Sequence, residues 1–218
     1  MFIPALISCF ESQTYPMDRI EWLIVDDGDD PIQDLVTGIP QVNYHCLKEK
    51  VTLGAKRNYM NCHARGDILV YMDDDDFYPP SRVLHAVQAL SSRPEKLIAG
   101  SSIMHIYFKR LAKIYRFGPY GPNHATAATF AFKRALLEHT QFDEAASVSE
   151  ERAFLKGYTI PMIQLDARKT ILAFAHRHNT YEKEKLLINP DPKTVRETKF
   201  PLGNFVKSDI SRKFYLDI

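Results

Sequence analysis

Apolar residues follow two different rhythms along this chain. Ile3, Leu6, Ile7 and Phe10 recur at helical spacing, which predicts a short helix over residues 3–13, ended before Pro16. Residues 21–25 carry a continuous apolar run rich in strand formers. A strand without polar alternation is usually buried on both faces, as in a parallel sheet. A second strand is predicted at 42–46, a helix at 53–64 stopped by Gly66, a third strand at 68–72, and a helix from Pro79 through Leu90 with Val83 and Val87 along one side. Strand and helix thus alternate through the first ninety residues, the pattern of an α/β fold with a parallel sheet.

Beyond that point the rhythm shortens. Residues 96–106 and 112–117 read as strands, antiparallel in arrangement, with residues 118–122 as a loop. A strand of small residues is predicted at 125–133 and a short helix at 134–139. A further helix spans 149–155, with Ser149 as its N-cap and Glu150 and Glu151 in its first turn. A late strand falls at 171–175. The tail from Lys183 is basic and punctuated by prolines, and residues 207–215 read as a helix packed on the domain or as a lead into a further C-terminal domain.

The bulk properties narrow the field only modestly. A chain of 218 residues suits one domain, and 45% hydrophobic with 25% charged residues is ordinary globular composition. A formal net charge of +1 supplies no global field for nucleic acid or an anionic membrane. No apolar run approaches the roughly 18 residues that a membrane span requires. The opening ten residues lack the basic start of a secretory signal, so a cytoplasmic protein is expected. Cys9, Cys46 and Cys62 lack metal-site spacing and read as free thiols of a reducing compartment.

Chemistry concentrates where apolar strands end. Asp73, Asp74, Asp75 and Asp76 follow the third strand directly, and open α/β sheets bind ligands at that end of their strands. Like charges so clustered call for a cation, and hard divalent ions such as Mg²⁺ and Mn²⁺ prefer carboxylate oxygen. A second acidic turn, Asp26, Asp27, Gly28, Asp29 and Asp30, closes the first strand and would face the same crevice. Its acids are candidates to accept hydrogen bonds from a nucleobase or ribose. A third cluster, His176, Arg177, His178, Asn179 and Thr180, follows the late strand, and the two histidines share a side if that segment is extended. The loop at 118–124 is expected to shape a binding site, with Tyr115 and Tyr120 as candidate stacking residues.

Taken in order, the segments at 23–28 (LIVDDG), 53–58 (LGAKRN) and 65–77 (RGDILVYMDDDDF) resemble the family 2-type GT-A glycosyltransferases. Weaker matches continue through 128–134, 142–144 and 149–155, and the nearest resemblance is to glycosyltransferase domains of large DNA viruses of algae and protists. The resemblance implies one GT-A domain over 1–218: a nucleotide-sugar-binding half over about 1–95, an acceptor-binding half over about 96–185, and a C-terminal tail or helix over 186–218. It implies a metal-dependent glycosyltransferase that moves sugar from a nucleotide-sugar, UDP-sugar by preference, to a glycan or glycoprotein hydroxyl with inversion. A viral member would work in the host cytoplasm.

Roles carry over at matching positions. Asp26 and Asp27 match acids that contact base and ribose. Arg57 matches a basic residue near the nucleotide, and Gly54 allows close backbone approach. Asp73 and Asp75 match the ends of the Asp-x-Asp metal motif, with Asp74 between them at the nucleotide-sugar and Asp76 immediately after. His176 or His178 is implied to complete the shell around Mn²⁺ or Mg²⁺. Glu150 and Glu151 match the acidic pair that supplies the general base, with Glu151 preferred. Two departures stand out. The family normally opens with a strand before the first helix, whereas this sequence starts inside that helix, so the core sheet lacks a strand or the chain is a truncated form. Asp74 also replaces a small or apolar residue. On the residues alone, a nucleotidyltransferase is the rival enzyme, although no glycine- and lysine-rich phosphate loop is present; a non-catalytic carbohydrate- or partner-binding module of the same fold is the other alternative.

Overall fold

In the computed structural model, which describes residues 2–179 and 181–217, the first helix, α1, spans Ile3–Glu11. Pro4 is tolerated in its first turn because that N–H would have no helical partner. The helix buries Ala5, Leu6, Cys9 and Phe10, and Phe10 stacks on Trp22 with ring centroids 4.3 Å apart. Strand β1 (Trp22–Asp26) is followed by a one-turn helix α2 (Gln33–Val36), strand β2 (Val42–Cys46), helix α3 (Leu53–His63) and strand β3 (Ile68–Val70). Thr52 caps α3 by accepting the Ala55 N–H at 3.2 Å. Helix α4 (Arg82–Ser91) precedes β4 (Ile98–Gly100), β5 (Met104–Phe108), β6 (Lys113–Phe117) and β7 (Ala131–Lys133). The chain closes with α5 (Glu151–Phe154), β8 (Met162–Gln164), β9 (Leu172–Ala175), β10 (Val195–Glu197) and α6 (Asp209–Asp217).

Among the described residues the strands form three sheets rather than one. β1 and β2 pair in parallel from Trp22↔Val42 to Asp26↔Cys46. A second sheet has the order β3-β7-β4-β8, and a third β10-β6-β5-β9. The expected parallel first half is therefore realised only between β1 and β2, because β3 takes the antiparallel partner β7. Among the described residues β1 and β3 do not pair with each other, and both border one cleft of about 1650 Å³. This explains why Trp22–Val25, apolar enough for a buried strand, are only partly buried. No strand precedes α1 among the described residues.

The predicted strand over 96–106 is two strands in different sheets. Ser101 breaks it: its hydroxyl donates to the Ile103 carbonyl at 2.6 Å and accepts the Ile103 N–H at 3.2 Å, a local alternative to ladder pairing. The predicted strand over 125–133 shrinks to β7, since residues 127–129 form a tight turn in which Thr129 bonds back to the Thr126 carbonyl. Ser149 is not the cap of α5; it adopts φ +56°, and the helix starts one residue later than expected, after Glu150. The tail does contain a helix, α6, whose Tyr215 stacks on Phe174 at 4.2 Å.

Aromatic packing fixes the centre of the molecule. Phe142 and Phe154 stack at 4.2 Å and join Tyr71, Phe130 and Phe132, which links β3 and β7 to α5. Arg82 is fully buried and donates to the carbonyls of Tyr71 and Phe130, at the point where β3 and β7 diverge. No helix among the described residues is long and apolar enough to cross a membrane.

Candidate active site

Three strand ends deliver the polar residues. The chain leaves β3 through Met72 into Asp73, Asp74, Asp75 and Asp76, and it turns there because Tyr78 reaches back to accept the Asp73 N–H at 2.7 Å. Each acid meets a different environment. Asp73 Oδ1 accepts from Arg57 Nη2 at 3.4 Å. Asp75 Oδ2 accepts from Asn179 Nδ2 at 2.8 Å and lies 3.3 Å from His176 Nε2. Burial raises the Asp75 carboxyl, but the bond to His176 and the charge of Lys183 outweigh it and hold the group below its usual range. Asp76 is buried; its Oδ1 accepts the Phe174 N–H at 2.9 Å and faces Lys183 Nζ at 3.3 Å. Burial pushes this carboxyl up to about 7, with Lys183 opposing and the charges of Asp75 and Asp73 adding to the rise. Asp74 is the outermost of the four. Its partial desolvation, then the charges of Asp75 and Asp73, push it up as well.

The late histidine cluster divides. After β9 the backbone folds into a turn closed by the Asn179 N–H on the His176 carbonyl rather than staying extended, yet the two histidine rings remain 6.1 Å apart, both against Phe2. His176 is buried; its Nδ1 accepts the His178 N–H at 3.2 Å, and its Nε2 lies 3.3 Å from Asp75 Oδ2 and 3.0 Å from Asn179 Nδ2. His178 is exposed, and its Nε2 accepts from Arg177 Nε at 3.1 Å. Thr180 lies outside the described residues. Asn179 and Lys183, which sequence reasoning gave no role, hold Asp75 and Asp76 respectively and line the cleft.

At the end of β1, Asp26 is largely occupied by its own loop. Its Oδ1 accepts the Gly28 N–H at 2.9 Å, and its Oδ2 accepts Tyr44 Oη–H at 2.7 Å and the Ile32 N–H at 3.0 Å. Burial raises this carboxyl, and the bonds from Tyr44, Ile32 and Gly28 more than offset it, so it lies below the ordinary aspartate range. Asp27 pairs closely with Lys56 and accepts the Val51 N–H at 3.2 Å. Both aspartates line the cleft. Lys56 was missed by sequence reasoning, although it stands beside Arg57 in the same motif.

Arg57 sits at the junction of these parts. It is buried, donates from Nε to Glu150 Oε1 at 2.7 Å, reaches Asp73, and lies 4.8 Å over the Tyr71 ring. Burial alone would lower its pKa; the charges of Asp73 and Glu150 raise it instead. Glu150 is buried in this pair, whereas Glu151 is half-exposed and lines the cleft without an ion-pair partner among the described residues. Burial shifts the Glu151 carboxyl upward. Gly54 serves a different contact from the one expected. A Cβ there would fall 1.8 Å from the Asp143 carbonyl oxygen, so its bareness admits the chain's own loop at 143–146 rather than a ligand.

A divalent ion fits this donor set in a particular way. Among the described residues no three His, Cys, Asp or Glu side chains converge to hold a metal unaided. Asp76 is committed to Phe174 and Lys183, and the His178 Nε2 is taken up by Arg177. Asp73 and Asp75 each keep an oxygen outside the contacts described, which suits an ion such as Mg²⁺ bound through one or two carboxylates plus substrate phosphates.

A family model for glycosyl transferase family 2 matches residues 2–142. No curated protein sequence matches the chain. Among solved structures, TarS residues 1–349 of S. aureus in complex with UDP-GlcNAc is similar at a TM-score of 0.63 and 17% identity, over 81% of this chain and 56% of that one. The mannosyltransferase PcManGT of Pyrobaculum calidifontis, in complex with GDP-Man and Mn²⁺, gives a TM-score of 0.63 at 17% identity, over 82% of this chain and 54% of that one. This chain thus spans little more than half the length of those structures, and at such identity the likeness is one of fold. With the family match covering more than half of its residues, and strand-end acids gathered on one cleft of a GT-A fold, the chain belongs to the family 2 glycosyltransferases.

Proposed function

We propose that this chain transfers a sugar from a nucleoside-diphosphate sugar, with UDP-sugars preferred, to a hydroxyl of a glycan or glycoprotein, and that it inverts the anomeric centre. One observation carries the reading: Asp26, Asp27, Arg57, Asp73, Asp75 and Glu151 all line the same cleft, so donor-binding groups and an unpaired carboxylate face one space. The complexes of TarS with UDP-GlcNAc and of PcManGT with GDP-Man and Mn²⁺ support a nucleotide-sugar donor for the shared fold. Nucleotidyl transfer, the rival suggested by acid clusters alone, is set aside by the family membership.

Asp73 and Asp75 would hold Mn²⁺ or Mg²⁺. Such an ion, when bound, offsets the charge that grows on the departing nucleoside diphosphate. His176 and Asn179 fix the direction of Asp75, and Arg57 fixes Asp73. Lys56 and Lys183 bring further positive charge to the same cleft. Asp26 and Asp27 shape the loop that receives base and ribose. Glu151 takes the proton of the acceptor hydroxyl as its oxygen bonds to the anomeric carbon and the bond to diphosphate breaks on the opposite face. That geometry inverts the centre, and a base of this kind contributes about 10²–10⁴-fold in rate. Free thiols suit a reducing cytoplasm as the compartment.

A panel of UDP- and GDP-sugars incubated with Mn²⁺, Mg²⁺ or EDTA tests the reading through hydrolysis of the donor. Metal-dependent release of nucleoside diphosphate from UDP-sugars is expected. Calorimetric titration of UDP with and without Mn²⁺ should show that Asp75→Ala abolishes metal-dependent binding while keeping the unfolding midpoint. Equal, metal-indifferent affinity in both proteins would remove the metal assignment.

A further inference from the structure

Past α5, which Glu151 opens, stands a column of three aromatic rings that the donor chemistry does not use. Tyr120 and His124, on the loop after β6, have ring centroids 4.9 Å apart. His124 stacks in turn on Tyr158, just past α5, at 4.7 Å with an interplanar angle of 26°. Tyr120 is the outermost ring, 51% exposed.

The loop beneath these rings is held at several points. Ser102 Oγ accepts the N–H groups of Tyr120 and Gly121 at 2.7 and 3.1 Å. Gln164 Nε2 donates to the carbonyls of Pro122 and His124 at 2.8 and 3.0 Å. Gly118, at φ +85°, is pressed so close to the Ser102 carbonyl that a Cβ there would lie 2.0 Å from its oxygen. The exposed ring is therefore carried on a fixed base.

Two unrelieved costs fall at the same spot. Lys156, Gly157 and Tyr158 have φ of +49°, +66° and +66°, and a bulky residue in that region is an outlier. This left-handed stretch turns the chain back after α5 and brings Tyr158 onto His124. His124 Nδ1 is itself buried without a hydrogen-bond partner among the described residues. Strain and unmet polar atoms of this kind gather at binding and catalytic sites. The column is joined to the reacting side through Tyr158, which follows closely on α5, the helix that Glu151 opens.

We propose that Tyr120, His124 and Tyr158 form a carbohydrate-binding ledge, on which a pyranose ring of the acceptor stacks against the exposed face of Tyr120. This rests on Glu151 being the general base, since Tyr158 ties the ledge to the helix that Glu151 opens. The fit is chemical: one face of a pyranose presents C–H groups, which pack on the negative face of an aromatic ring. The acceptor is accordingly a sugar rather than a bare serine or threonine side chain.

The test needs no donor. Saturation-transfer NMR is run on the full chain with the methyl glycosides of glucose, galactose, mannose and N-acetylglucosamine, and with a serine-containing peptide. Transfer to the C–H protons of at least one glycoside is expected, with none to the peptide. It should fall at least severalfold in Tyr120→Ala, whose exposed position leaves folding intact, and persist in Tyr120→Phe, which keeps the ring. No transfer to any glycoside, or equal transfer in Tyr120→Ala, overturns the ledge. Metal-dependent donor hydrolysis by the unaltered chain is read separately. Its absence would sink the proposed function, whereas the glycoside result decides the ledge on its own.

Discussion

Successive side chains at a helix start diverge by about 100°, and at Glu150 and Glu151 this divergence separates a buried ion pair from a carboxylate open to the cleft. Substituting each by its amide should therefore give different signatures. Glu150→Gln leaves Arg57 short of one charge in a buried place, and should cost about 1–3 kcal/mol of stability, seen as a lower midpoint in urea denaturation. Glu151→Gln should leave that midpoint in place and slow single-turnover transfer by about 10²–10⁴-fold. Its pH profile adds a second check. Burial raises the Glu151 carboxyl, and a base must be ionised, so transfer should fall as pH drops through a value above the ordinary glutamate of about 4.3. The same acid limb should vanish in Glu151→Gln. If both amides keep near-native transfer, Asp143 or Glu144 becomes the next candidate. At this scale the sequence showed which residue types gather at strand ends. It did not show their partners: that Asp76 answers to Lys183, 107 positions away, or Asp75 to Asn179, is set by where β9 ends and how the following turn folds.

Elements carry the acid loop between them. β9 supplies the Phe174 N–H to Asp76, and α6 supplies Tyr215, whose hydroxyl donates to the Asp76 carbonyl at 3.1 Å while its ring stacks on Phe174. The C-terminal helix is thus a brace behind the acids rather than a loose tail. Tyr215→Phe should cost about 0.5–1.5 kcal/mol, the worth of one hydrogen bond. Tyr215→Ala should cost about 3–5 kcal/mol, as other large aromatic truncations in cores do. Urea denaturation of both variants measures the difference, and an unchanged midpoint in Tyr215→Ala would mean that α6 does not pack where it is described. Elements with a strong period or a clear stop were legible in advance: α1, β1, β2, α3 and α4 fall within a few residues of their predicted bounds. Three-residue strands such as β8 and β10 carry too little periodicity to be seen. The split of 96–106 turned on a single serine hydroxyl choosing its own backbone over the ladder.

For the molecule as a whole, the α/β class followed from the alternation of the first ninety residues, while the division into three sheets did not, because pairing depends on partners far away in the chain. The division has a dynamic consequence. Among the described residues β1 has one paired flank, toward β2, whereas β5 is paired on both sides, by β6 and β9. Backbone groups without a ladder partner open more readily, and local opening governs amide exchange. Hydrogen–deuterium exchange should therefore be faster over 22–26 and 68–72, where β1 and β3 border the cleft, than over the doubly paired 104–108. The proposed donor site gives this pattern a further use. Asp26 and Asp27 stand on the β1–β2 side of the cleft, and Asp73 and Asp75 on the β3 side, so a nucleoside diphosphate that touches both ties the two sides together. UDP with Mn²⁺ should slow exchange in 22–26 and 68–72 together, while UDP with EDTA should do so weakly. Protection confined to one of the two segments would show that the nucleotide does not bridge the cleft, and uniformly slow exchange over 22–26 before any ligand is added would show that the free flank of β1 is already covered.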